Sequence, residues 1–199
     1  MAVTMNQIKG MLNELELKFM ENPRDDSELA LRFGTKNYRD TDGDKSLLIV
    51  IKLSENGEYI TLYCPKAYEV TGQNQGVFLK LCMMIQWMTK LVQFEFDHRD
   101  GEIRPVIEFP IEDGTLTARQ LQRCIIGLGQ VIEACDAALR SALEQGVIDL
   151  SLMPGLAGGP SPEQLRRILE EMLRERGLTD DDEDEESDGN GRRRPPDEL

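Results

Sequence analysis

The chain has 199 residues, 40% of them hydrophobic, and a formal net charge of −14 at pH 7. This length suits one domain of about 150 residues with an appendage, and a domain of that size buries a core without disulfides or metal. The acidic balance argues against nucleic acid and against an anionic membrane surface as partners, because both require a basic footprint.

Cysteine usage and hydropathy predict the redox state and the compartment. Cysteines occur inside apolar strand or helix patterns, without CxxC or Cys/His ligand spacing, at Cys64, Cys82, Cys124 and Cys135. We therefore predict buried reduced thiols, and neither a metal nor another cofactor. The sequence has no apolar signal core and no run of transmembrane length, so we expect a cytoplasmic protein without membrane insertion.

The first part of the chain is predicted to form a helix and then three strands. Apolar residues at helical spacing predict a helix over residues 4–21, ended by Asn22-Pro23, because a residue before proline is pushed out of the α region. Alternation of apolar and polar residues then predicts strands at 29–33, 47–53 and 58–64. The middle strand is apolar on both faces, which is typical of a central strand.

A polar loop at residues 34–45 contains three aspartates, in the sequence DTDGD that begins at Asp40. Their spacing fits the first positions of a calcium-binding loop. The bidentate glutamate that should end such a loop is replaced by Val50 or Ile51, inside a predicted strand. A solvated turn is therefore predicted, with a calcium site as the weaker alternative.

Residues 75–89 predict a second helix that is apolar around nearly its whole circumference. A sheet in a two-layer domain covers only one side of such a helix, so a second helix or another chain must cover the other side. Met84, Trp87 and Met88 are predicted to bind a partner protein, because methionine and tryptophan suit adaptable contact surfaces. An ordinary core helix is the alternative.

A hairpin and a long helix are predicted next. Residues 92–97 and 103–111 alternate in polarity and are joined by Asp100-Gly101, a pair that favours the positive φ angles of a tight hairpin turn. Thr117, with Gln120 three residues later, predicts the capped start of a helix that continues to about residue 145.

Beyond the predicted domain of residues 1–150, the composition changes three times. Residues 151–161 are rich in Gly and Pro and predict a linker, 162–177 predict an amphipathic helix, and the acidic residues 178–199 predict a disordered tail. The predicted partner-binding stripe of that helix comprises Leu165, Ile168, Leu169 and Met172. A helix of this length is marginal alone in water, so the stripe should bind a groove, either on its own domain or on another protein.

The sequence offers no catalytic constellation. His98, the sole histidine, precedes the hairpin turn, and no Ser or Cys stands beside it at nucleophilic spacing. The stretch GLAGGP has no Lys and does not join a strand to a helix, so it is no phosphate loop. We therefore predict no catalytic residues and a protein that is not an enzyme.

With this order of elements, residues 92–128 resemble the YbjN domain family. Members show a strand, an Asp-Gly turn, a second strand ending near Pro-Glu-Asp, and then Leu-Thr before a long helix. Here these features are residues 94–97, Asp100-Gly101, 106–110, Glu112-Asp113 and Leu116-Thr117. The resemblance covers about residues 1–150. It implies a type III secretion chaperone-like fold, which commonly dimerises and holds a partner polypeptide, and it carries over no catalytic residue.

The predicted fold is an α+β domain, with an antiparallel sheet of about five strands packed by three helices. The predicted function is that of a non-catalytic, chaperone-like or adaptor protein, which holds an unidentified partner polypeptide as a homodimer. A regulatory or sensory module that acts through the C-terminal helix is the alternative, and a small enzyme is a third possibility.

Overall fold

A computed structural model of the protein describes residues 2–153, in which three helices pack on an antiparallel sheet of seven strands. The strands are Met20–Glu21 (β1), Glu28–Gly34 (β2), Ser46–Ser54 (β3), Tyr59–Tyr63 (β4), Tyr68–Glu69 (β5), Gln93–Phe96 (β6) and Glu102–Pro110 (β7). The helices are Met5–Glu14 (α1), Gln75–Met88 (α2) and Ala118–Gln145 (α3). The predicted α+β class with three helices is therefore confirmed, and the sheet has two strands more than expected.

The core lies between the helices and one face of the sheet. Alternation along each strand directs every second side chain to that face. One row of the sheet pairs Leu29 with Ile51, Ile51 with Leu62, and Leu62 with Ile107, and each of these side chains is at most 1% exposed. Helix α3 completes the core with buried residues along its whole length.

The predicted hairpin and long helix are confirmed. Strands β6 and β7 pair antiparallel around a turn in which Gly101 has a φ of 82°. The hydroxyl of Thr117 accepts the Gln120 backbone N–H, and the Gln120 side chain accepts the Thr117 N–H, which forms the predicted capping box. Gly146, with a φ of 69°, ends α3.

The first helix ends at Glu14, so the prediction of a helix to residue 21 is wrong. Glu16 adopts a left-handed φ of 57°, and the N–H groups of Glu16 and Leu17 donate to the carbonyl oxygens of Asn13 and Leu12 at 3.0 and 2.9 Å. This hydrogen-bonded helix end normally uses glycine or asparagine. Glutamate in that place is no local stop signal, so the helical pattern of apolar residues continues into the residues that form β1.

The other unpredicted strand, β5, has only two residues and no alternating pattern to reveal it. After α3 the chain forms a short 3₁₀ helix, Leu150–Leu152, and Met153 is buried against the core, so the domain continues past residue 150. The rest of the predicted linker, the predicted helix of residues 162–177 and the predicted tail lie outside the described residues. No helix within residues 2–153 is both long and apolar enough to cross a membrane.

The turn between β3 and β4 gives a testable stability prediction. Gly57 has a φ of 89°, and a Cβ atom added there would lie 2.0 Å from the carbonyl oxygen of Val3. Gly43 has a φ of 88° and open space at the same position. Gly43→Ala should therefore cost only the left-handed conformation, about 1–2 kcal/mol. Gly57→Ala should cost clearly more, because the N-terminal segment must also move. Urea unfolding of both variants measures the difference, and equal losses would contradict the prediction.

Candidate protein-binding surface

Helix α2 has one side fixed in the core. Its buried side chains recur at spacings of three and four residues and are fully covered: Phe78, Leu81, Cys82 and Ile85. The side-chain amide of Asn74, at the start of α2, donates to the carbonyl oxygen of Leu143 at 2.9 Å. The start of α2 therefore lies beside the end of α3, and the helix is held in one orientation.

Large apolar side chains stay exposed on the opposite side of α2 and at its C-terminal end. Trp87 and Met83, on the opposite side, are 90% and 52% exposed. Met88, the last residue of the helix, is 38% exposed, and Leu91, just after the helix, is 56% exposed. These four residues are termed the α2 face. Met83 and Trp87 are neighbours on the helix surface because they are four residues apart. An apolar cluster centred on an exposed tryptophan is typical of a protein-binding site, since tryptophan dominates the energetics of many interfaces.

Two of the three partner-binding residues predicted in α2 lie on this face. Trp87 and Met88 are exposed, whereas Met84 is half-buried at the edge of the face. Met83, whose residue type and position in the apolar helix also suit a contact surface, lies on the same side as Trp87, four residues away. The other predicted partner-binding residues lie outside the described residues: Leu165, Ile168, Leu169 and Met172.

Leu91 was missed because it follows the helix and belongs to no periodic pattern. It adopts a left-handed φ of 71°, a conformation that costs a non-glycine residue about 1–2 kcal/mol. The next residue, Val92, is buried (2% exposed), and it anchors the chain as it enters β6. The short turn between α2 and β6 therefore presents a leucine to solvent in a strained conformation, and such strain often occurs at functional surfaces.

Positive charge borders the α2 face within an acidic protein. Lys80 stands three residues before Met83, and Lys90 stands three residues after Trp87; both lysines are exposed. Their ammonium groups place positive charge beside the α2 face, whereas the chain as a whole has a net charge of −14. Such a local field favours an occupant that carries carboxylates beside its apolar residues.

A separate polar cluster is buried between α3 and β5. Asp136, 3% exposed, accepts hydrogen bonds from the Tyr68 hydroxyl at 3.1 Å and from Arg140 Nε at 2.9 Å. Burial raises the pKa of the Asp136 carboxyl, and burial beside that carboxylate raises the pKa of Tyr68 well above its ordinary value. Arg140 also donates to the Arg39 carbonyl oxygen at 2.6 Å. Each of these hydrogen bonds joins two groups of the chain, so the cluster acts as a structural tie.

Glu133 extends the same tie to the loop before β3. Its carboxylate accepts the backbone N–H groups of Lys36, Asn37 and Tyr38 at 2.5, 2.7 and 3.1 Å. Glu133 lies one turn of α3 before Asp136, so one side of the helix fixes the loop at several points. Sequence reasoning missed this arrangement. The only signal was a set of charged residues at helical spacing in α3, namely Glu133, Asp136 and Arg140.

The groups considered for chemistry do not form an activated site. All four cysteines are free and buried, as predicted. Burial raises the pKa of Cys82 and Cys135 to about 12 and that of Cys124 to about 11, so these thiols stay protonated near neutral pH. His98 is exposed in the turn of the hairpin.

The aspartate loop is organised by its own hydrogen bonds. Asp40 Oδ1 accepts the backbone N–H groups of Asp42 and Asp44 at 3.1 and 2.9 Å, and Oδ2 accepts the Ser46 hydroxyl at 2.9 Å. This use of an aspartate to close its own turn is common in loops. It agrees with the solvated turn predicted for these residues.

Comparisons with known proteins show a similarity of fold at low sequence identity. No protein-family profile and no curated protein sequence match the chain. A crystal structure of YbjN from E. coli, described as a candidate transcription regulator, is similar with a TM-score of 0.46 and 16% sequence identity. The match covers 68% of this chain and 92% of that chain. Membership of the YbjN domain family stays a prediction.

Proposed function

We propose that the protein is a non-catalytic adaptor that holds a partner polypeptide against the α2 face. The observation that supports this most is the 90% exposure of Trp87 beside Met83, on a helix whose other side is fixed in the core. Covering a tryptophan removes 150–250 Å² from water, which is worth roughly 4 kcal/mol before the costs of association. A preorganised helix keeps the ordering cost of its own side of the interface low.

The occupant that fits this surface is an amphipathic helix with acidic residues along its border. The α2 face is the outer side of one helix, and side-chain ridges of a second helix pack well against such a surface. Carboxylates on that second helix would lie near Lys80 and Lys90. The partner therefore supplies an apolar stripe of its own, flanked by aspartate or glutamate.

A matched pair of variants tests this proposal. Met83 on the α2 face and Met20 on β1 are almost equally exposed, at 52% and 51%. We expect Met83→Glu to lower the amount of partner captured by the full chain, because a charge enters the interface. Met20→Glu introduces the same charge on an equally exposed methionine of another element and should leave capture unchanged. Equal capture by both variants and the wild type would contradict the proposal.

A second copy of the chain is another candidate occupant, and the homodimer stays a prediction. Two α2 helices could pair antiparallel about a twofold axis that passes midway between Met83 and Trp87. Lys80 of one copy would then lie opposite Lys90 of the other. These like charges repel, so a homodimer through this face should strengthen as salt increases. Light scattering of the full chain over a range of salt tests this, and a single-chain mass at tens of micromolar would remove the alternative.

A further inference from the structure

We infer that residues 161–177 of the chain itself occupy the α2 face, so that a partner must displace them. This inference rests on the proposed function and adds its regulation. The apolar stripe predicted from the sequence in this segment would then be the resident ligand of the exposed apolar cluster on α2. The linker is long enough to reach the α2 face, the stripe of the segment matches that face, and tethering raises the local concentration of the segment.

The chain has the reach to place this segment on the α2 face. The described part ends at Met153, shortly after α3, and the end of α3 lies beside the start of α2 through the Asn74–Leu143 hydrogen bond. Residues 154–161 can span at most about 28 Å. Helix α2 has 14 residues and is about 21 Å long. The segment can therefore begin beside either end of α2.

The segment matches the α2 face in length, and the second half of its stripe carries carboxylates. From Leu165 to Met172 the stripe would extend about 10 Å along a helix, and the α2 face covers about 7.5 Å from Met83 to Met88 and continues to Leu91 beyond the helix. Glu170 and Glu171 lie between the stripe residues Leu169 and Met172, whereas Arg166 and Arg167 lie between Leu165 and Ile168. The carboxylates of Glu170 and Glu171 can approach the lysines that border the α2 face. Helix α2 of a second copy has no carboxylate to place there.

Tethering makes even weak docking sufficient. A short linker gives an attached segment an effective concentration in the millimolar range. A contact that would be too weak between separate molecules is therefore well populated within one chain. This favours the chain's own segment over a second copy at low protein concentration. A partner must bind the α2 face tightly enough to compete with the tethered segment.

The only tryptophan in the sequence, Trp87, reports directly on this contact. The experiment is acrylamide quenching of Trp87 fluorescence in the full chain at sub-micromolar concentration. We expect the wild type to be shielded, and Leu165→Ser with Leu169→Ser to raise the quenching constant several-fold and shift the emission to the red. The control is Glu163→Ser with Arg174→Ser, which makes the same number of changes in the segment, outside the stripe and at unchanged net charge, and should quench like the wild type.

Two outcomes would overturn the inference. One is a wild-type quenching constant as high as that of N-acetyltryptophanamide. The other is shielding that grows with protein concentration, which would assign the α2 face to a second copy. Partner capture by the same variants separates this inference from the proposed function. Release of the segment should increase capture, whereas the proposed function fails if a charged residue on the α2 face, at Met83 or at Trp87, leaves capture intact.

Discussion

Trp87→Glu is expected to abolish capture of the partner polypeptide while leaving the domain folded. Tryptophan at the centre of an interface commonly contributes 2 kcal/mol or more, so the affinity should fall by about 30-fold or more. The free protein should tolerate the change, because Trp87 is 90% exposed and the new carboxylate stays in water. The melting temperature should change by no more than about 2 °C. Quantitative capture and thermal unfolding monitored by circular dichroism measure the two effects.

Ile85→Glu provides the contrast on the buried side of the same helix. Ile85 is 0% exposed, so the same charge would be placed in the core and should unfold the domain. If Trp87→Glu lowered the melting temperature as strongly as Ile85→Glu, Trp87 would belong to the core. If it captured partner as well as the wild type, the α2 face would not be the binding surface.

Arg140→Met should lower the free energy of unfolding by about 2–3 kcal/mol at neutral pH. The change leaves the Asp136 carboxylate, which is 3% exposed, buried without its cation. Fully buried pairs typically lose about 3–5 kcal/mol when one partner is removed. The expected loss is smaller here because the Arg140 side chain is 32% exposed and water can take part of its place. Urea unfolding of the full chain measures the loss.

This loss should shrink as the pH falls. Burial already raises the Asp136 pKa above its ordinary value of 3.8, and Arg140 opposes that shift, so Arg140→Met should raise the pKa further. The folded state then binds the proton more tightly than the unfolded state. The contribution of Asp136 to stability is therefore greatest below pH 3.8 and decreases as the pH rises through the raised pKa. Arg119→Met, an exposed change on the same helix, is the control, and an equal loss at every pH would be inconsistent with this account.

Local sequence patterns predicted most of the helices and strands but did not predict the two-residue strands. The alternation in β2 and β3 and the capping box at Thr117 each act within a few residues, so the sequence revealed them. The end of α1 depends on Glu16 in a left-handed conformation, which only tertiary packing selects. Strands β1 and β5 have two residues each and exist through pairing with distant strands, which no local pattern records.

The candidate site was predictable in composition and only partly in geometry. An all-apolar α2 indicated that one side needs an occupant, and the structure shows that the exposed side centres on Trp87. The sequence could not show that Met84 lies at the edge, or that Leu91 joins the face through a strained turn, because both depend on how α2 packs against the core. The tie between α3 and the loop of residues 34–45 was invisible, since it joins residues far apart in the chain.

Site-specific photo-crosslinking in the cells that make the protein tests most directly whether the α2 face binds another polypeptide. A photo-reactive amino acid is placed at Met83 on the α2 face or at Met20, its equally exposed counterpart on β1. We predict covalent adducts with another polypeptide from position 83 and none from position 20. The adducts from position 83 should be lost when Trp87→Glu is also introduced. Adducts of equal yield from both positions, or none from position 83, would contradict this prediction.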